Sequence, residues 1–323
     1  MRRSAAAIAF VIACTMLATS LPSYAATGLA WDQVTKFSMD GNVPDPNFPS
    51  DFQTASQPPP PQKNPGGMFG MNAMVNAAMG AMQMMKTGIA ERHYIAGSLE
   101  RTDNVGEQTA TIVDCSARTI TYLNLAKKTY HVVSMDQPQT PSSGTKPSPG
   151  QPQPVQDDGT RYKINYTSQA LGAKQIDGQN TDGYKANMAV TVMKPNTDPQ
   201  TMNTNLTEYV SSYAHPQQSC PVHLSTAGPG GSGPMAGMSS SMNMTSAINS
   251  AMHTPNGDPR FTVTSSGPPL PSGKLELFSV YQFSAQQSQG RAFATIIERG
   301  NVHPVSDSDK SIFGVPPDFT KES

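Results

Sequence analysis

The sequence predicts an α+β protein, a curved antiparallel β-sheet of about seven to nine strands with a methionine-rich helix packed on one face. Three observations predict it. From Glu91 onward, segments rich in β-branched and aromatic residues follow one another, separated by short polar turns. Residues 68–85, MFGMNAMVNAAMGAMQMM, place apolar side chains at 68, 71, 74, 75, 78, 79, 82 and 85, the three-and-four spacing of a helix face. Two low-complexity stretches, 136–159 and 227–273, separate the strands and read as long disordered insertions.

The chain opens MRRSAAAIAFVIACTMLATSLPSYAATG. Two arginines precede an apolar run that ends at Ser23-Tyr24-Ala25, the layout of a secretory signal peptide cleaved after Ala25. Val11-Ile12-Ala13-Cys14 resembles a lipobox, which makes lipid anchoring through Cys14 the alternative. The apolar run continues past that cysteine and favours ordinary export, to a periplasm or to the medium. No later stretch reaches the eighteen or so apolar residues that a transmembrane helix needs.

Without the two signal arginines the chain carries 20 basic against 23 acidic residues. That balance, with no basic patch carrying interleaved aromatics, argues against a nucleic-acid partner. Charged residues make up only 14% of the chain, against 29 prolines and 26 glycines, a composition that shrinks the foldable part to a single sheet-based domain, residues 68–321. Once Cys14 is removed, Cys115 and Cys220 form an even pair in an oxidising compartment and predict one disulfide.

Residues 26–67 read as an extended N-terminal segment. Asp32 to Phe37 suggests a short helical turn; Pro44, Pro46 and Pro49 oppose anything regular, and QPPPPQKNPGG (57–67) is a semi-rigid linker. The methionine-rich helix comes next, with Gly88 as its stop. YIAGSLER (94–101), QTATIVDC (108–115), RTITYLNL (118–125) and KTYHVVSM (128–135) form an antiparallel meander. RYKINYT (161–167) alternates, with Tyr162, Ile164 and Tyr166 on one face, and in YKANMAVTVMK (184–194) Met188, Val190 and Val192 share a side. Asn203 to Tyr213 suggests a helix, and KLELFSVYQFS (274–284) and RAFATIIER (291–299) are the last strands. Insertions between them cost little, because closure entropy grows only with the logarithm of loop length.

YIAGSLERTD, ATIVDCSARTITYLNLAKKTYHVVSM, ALGAKQIDGQNTDGYKANMAV and SIFGVPPDFTKE together resemble an uncharacterised exported bacterial domain-of-unknown-function family. The resemblance implies an antiparallel half-barrel with a helix against its concave side, similar to periplasmic lipoprotein carriers, in which that surface shelters acyl chains. It carries over no catalytic residue.

The residues themselves offer little chemistry. Histidines 93, 131, 215, 223, 253 and 303 form no HExxH or i, i+4 pair. HPQQSCPVH (215–223) gathers two histidines and Cys220, potential zinc or copper ligands whose plainer reading is a half-cystine in a loop. There is no G-x-S-x-G elbow, GPGGSGPMAG lacks a phosphate-loop lysine, and Asp157-Asp158 and Asp307 with Asp309 lie in solvated loops. The expectation is therefore a non-enzymatic envelope protein that binds an apolar ligand, lipid or lipoprotein-like, or a partner in the concavity of its sheet, with Met71, Met74, Val75, Met79, Met82 and Met85 as the ligand-binding residues. Methionine suits such a role as an adaptable, polarizable lining. One alternative is Cu(I) buffering, the soft metal that thioethers favour, by Met235, Met238, Met242 and Met244. A further alternative is a structural protein whose loops dock another envelope protein.

Overall fold

A computed structural model describes residues 28–58, 87–136, 159–216, 220, 261–285, 292–305 and 307–322. The signal segment, the methionine-rich stretch 68–85 with its expected helix, and the tract 235–244 lie outside the described residues.

In chain order the elements are β1 (Gly28–Ser38), α1 (Phe48–Ala55), β2 (Ile89–Ala96), β3 (Leu99–Asn104), β4 (Thr109–Asp114), β5 (Thr119–Asn124), β6 (Thr129–Ser134), β7 (Arg161–Ile176), β8 (Gln179–Met193), β9 (Gln200–Ala214), β10 (Phe261–Ser266), β11 (Lys274–Ala285), β12 (Ala292–Val305) and β13 (Thr320–Lys321), with a 3-10 turn at Asp307–Phe313. The strands form one open sheet in the order β10-β7-β8-β9-β11-β12-β1-β2-β3-β4-β5-β6-β13. Neighbours are antiparallel except β10 with β7 and β13 with β6, so the sheet is mixed rather than purely antiparallel.

Thirteen described strands exceed the expected seven to nine, for local reasons. YIAGSLER is two strands, turned at Gly97, whose φ of 59° suits a residue without Cβ. Asp32–Phe37 is part of β1, not a helical turn: both its neighbours, β12 and β2, bond it, and Val34 and Thr35 are β-branched. Asn203–Tyr213 is the body of β9, not a helix. Thr204, Leu206, Glu208 and Val210 are buried at period two, which a helix cannot bury on one face. β10 lies inside the segment read as low complexity. The one described α-helix falls where prolines were expected to forbid it. Pro49 sits in the first turn of α1, where its missing N–H would be unpaired in any case.

β3 to β6 repeat with a ten-residue period, TATIVDCSAR, TITYLNLAKK and TYHVVSMDQP, joined by four-residue turns. Each turn opens on a side-chain amide or carboxylate that accepts from the backbone: Asn104 from Glu107, Asp114 from Ser116 and Ala117, and Asn124 from Lys127. Each closes on a residue at positive φ, 53° for Gln108 and Arg118 and 55° for Lys128. The β7–β8 hairpin turns on Asp177-Gly178, both at positive φ, the two-residue form whose twist matches the strands.

Two elements cover the same face of the sheet at different places. Phe48, Phe52 and Ala55 of α1 cover Val34, Ala90 and Val105, while Phe313, Val315 and Phe319 of the C-terminal segment cover Ala110, Ile112 and Leu123. Leu29, Trp31, Leu275, Leu277, Val280 and Ile296 belong to the central cluster. Burial of each such side chain is worth about 1.5–3 kcal/mol. α1 is also pinned electrostatically. Lys36 lies 2.5 Å from both Asp51 of α1 and the buried Glu298 of β12, and Glu298 accepts the Asn47 N–H at 2.9 Å, at the helix N-terminus. Burial pulls the Lys36 ammonium down, but its two carboxylate partners outweigh that and hold it above its ordinary value.

Cys115, in the β4–β5 turn, is disulfide-bonded to Cys220 across 105 residues. In C115S/C220S the unfolding free energy from urea titration is expected to fall by about 2–4 kcal/mol; an unchanged midpoint would show that the bridge constrains nothing. Lys36→Met, which leaves the Glu298 carboxylate buried without its cation, is expected to cost about 3–5 kcal/mol in the same titration.

Candidate functional site

In an antiparallel pair, residues directly opposite share a face. The register therefore defines continuous rows across the sheet. On one face Trp31, His93, Thr102, Thr111, Tyr122 and His131 form a row through β1 to β6. Trp31 stacks on His93 with centroids 5.0 Å apart, and Tyr122 on His131 at 4.9 Å. The adjoining row, Arg299, Gln33, Glu91 and Asn104, is polar.

The two rows meet in a hydrogen-bonded network. Arg299 donates to Gln33 Oε1 at 2.8 Å and to the Glu276 carbonyl at 2.8 Å, and its guanidinium lies 3.3 Å from the Glu276 carboxylate. Gln33 donates onward to Glu91 at 3.2 Å. His93 Nε2 is 3.4 Å from Glu91 Oε2, and its Nδ1 is 3.3 Å from the Thr102 hydroxyl. Burial pushes the Glu91 carboxyl up, but His93, Arg299 and Gln33 outweigh it and hold Glu91 below its ordinary value. Threonine, histidine and glutamate stand in sequence here, yet both spacings exceed a firm hydrogen bond.

One step along the same face stands Glu208 of β9, opposite Tyr184 on β8 and Ser279 on β11. It is 1% exposed and neither carboxyl oxygen has a hydrogen-bond partner. Burial, with a smaller contribution from the charge of Glu276, raises it to about 8. Around it Tyr166, Ala186, Leu206, Tyr281 and Ile297 form an apolar cluster, against which Tyr184, Met188 and Phe283 pack. Toward the strand ends that cluster becomes accessible: Phe283 stacks on Phe293 at 5.0 Å, Phe293 is 39% exposed and Met202 is 55% exposed.

The opposite face carries an open groove of about 370 Å³ lined by Arg92, Asp103, Val105, Gln108 and Leu125. Its charges are internally matched. Asp32 accepts from Arg92 at 3.2 Å, and Asp103 takes two bonds from Arg101.

Of the site residues expected from sequence, Met71, Met74, Val75, Met79, Met82 and Met85, and the candidate Cu(I) ligands Met235, Met238, Met242 and Met244, lie outside the described residues. The disulfide of Cys115 with Cys220 is present, which removes the Cys220 thiolate from any ligand set in HPQQSCPVH. Among the described residues no three His, Cys, Asp or Glu side chains converge as a metal centre requires. No described helix is long and apolar enough to cross a membrane. Sequence reasoning missed Glu208. The signal was available: read at period two, NTNLTEYVS puts a lone acid between Leu206 and Val210 on the buried side. No family model matches the chain, and neither a curated protein nor a solved structure does.

Glu208 also makes stability depend on pH. Its folded-state value lies above the ordinary 4.5, so between roughly pH 4.5 and 8 the unfolded chain releases a proton that the folded chain retains, and stability falls as pH rises through that window. At pH 9 the loss amounts to a few kcal/mol, about 1.4 for each unit of displacement. Glu208→Gln is expected to flatten this slope in urea titrations between pH 5 and 9. A slope that stays as steep as the wild type's would assign it to other groups.

Proposed function

We propose that this chain is a non-enzymatic exported protein that holds an apolar ligand, lipid or lipid-like, against one face of its sheet. The observation that carries the reading is the continuity of an apolar surface from buried to open. Leu206, Tyr281 and Ile297 are covered, whereas Phe293 and Met202, on the same face at the strand ends, are not. Register places Phe283 of β11 between these two, opposite Phe293 on one side and opposite Thr204, two residues along β9 from Met202, on the other. A contiguous apolar patch of this kind marks a binding surface more often than an isolated exposed side chain does. The N-terminal signal layout and the Cys115–Cys220 bridge support export.

The test is native mass spectrometry of the protein purified from its own export compartment. An apolar adduct is expected on the wild type, reduced at least tenfold in Met202→Asp/Phe293→Asp. A wild-type spectrum free of adducts, with no binding of an added fluorescent fatty acyl probe, would sink the reading.

A further inference from the structure

Buried polar atoms in folded proteins nearly all find partners, so several orphans in one place point to a ligand that would satisfy them. Among the unpartnered buried atoms, Glu208 stands out because both of its carboxyl oxygens are orphaned, on a residue 1% exposed; on the same face the Tyr166 hydroxyl, on a residue 4% exposed, also has no partner. Burial raises the Tyr166 phenol, Ser168 opposes that rise and the Glu208 charge adds to it. Tyr184 lies directly opposite Glu208, and Tyr281 is two residues along β11 from Ser279, which faces Glu208 from the other side. Two tyrosines of one cluster, Tyr184 and Tyr281, thus stand beside an unpaired acid, while Tyr166 lies further along the same face, in the row of Met188, Thr204 and Phe283.

These groups set the chemistry of a fitting partner. An ionised carboxylate only accepts, and an ammonium group only donates, three times over. Aromatic ring faces attract an organic cation as well. The Arg299 guanidinium is occupied by Gln33 and Glu276 and supplies nothing to Glu208. Glu276 adds a second negative charge beside the acid, which opposes an anionic ligand. Along β9, four residues separate Glu208 from Thr204, whose partner across the ladder is Phe283. At about 3.3 Å per residue, that is about 13 Å from the acid to the edge of the accessible patch.

We infer that Glu208, with Tyr184 and Tyr281, receives the ammonium head of an amphipathic amine whose chain lies along the same face toward Phe283, Phe293 and Met202. This rests on the apolar-ligand reading above and specifies the ligand's head. An ammonium ion at the acid restores its ionised form, which burial by itself disfavours.

The experiment is isothermal titration of the full mature protein at pH 7.4 with decylamine, decanol and decanoate, each below its aggregation threshold. Decylamine is expected to bind at least tenfold more tightly than decanol, and decanoate more weakly than either. In Glu208→Gln the amine-to-alcohol ratio is expected to fall to near one. Tyr184→Leu, which leaves the acid in place, is expected to lower the ratio about threefold or more. Equal affinities of the wild type for decylamine and decanol would overturn the ammonium site while leaving the apolar-ligand reading standing. Binding of none of the three would overturn both.

Discussion

The architecture depends on one pairing. β1, at the start of the described chain, lies between β12, near its end, and β2. Residues as distant in the chain as Lys36 and Ile296 are brought into register there. On one side stand the short strands β2 to β6, whose contacts are local; on the other stand the strands β7 to β12, most of them long. Without β1 these would be two sheets with two more open edges, each a row of unpaired backbone groups. The pairing bears the closure entropy of nearly the whole chain, which grows slowly enough with length for a sheet of this size to meet it. Contacts of such separation also form late in folding, which sets the local meander as the element able to form first.

Joining the two halves has a chemical consequence. The polar row reaches across the seam, with Arg299 of β12 tied to Gln33 of β1, and Gln33 to Glu91 of β2. On the opposite face Lys36 and Glu298 cross the same seam and set α1 by its N-terminus. Charges buried at a junction are satisfied only when both strands are in register, so a slipped pairing would strand them. Glu208 is the exception. It sits two strands beyond the seam, a buried acid on this face with neither carboxyl oxygen partnered.

The meander was legible because it repeats: a turn-forming Asn or Asp, four loop residues and a threonine restart the strand every ten positions. The two helix expectations failed for a shared reason. Asp32–Phe37 and Asn203–Tyr213 carry polar residues that blur the period, and in both segments the sheet's ladder on each side decides the backbone. Pro49 misled in the opposite sense, since proline forbids a helix interior but not its first turn.

By itself the sequence determined the strand-rich class, the position of the local turns, the pairing of Cys115 with Cys220 and the lack of a known catalytic motif. These depend on short-range patterns, on composition or on counting. Only the tertiary structure decided that β1 lies at the centre of the sheet, that α1 is anchored by Lys36 and Glu298, and that Glu208 and three tyrosines share one face. Each of those joins residues far apart in the chain, and a one-residue change of register would turn the same side chains to the other face. No period in the sequence encodes which distant strand a given strand will meet. That is fixed by which arrangement buries the apolar positions and pairs the buried charges together.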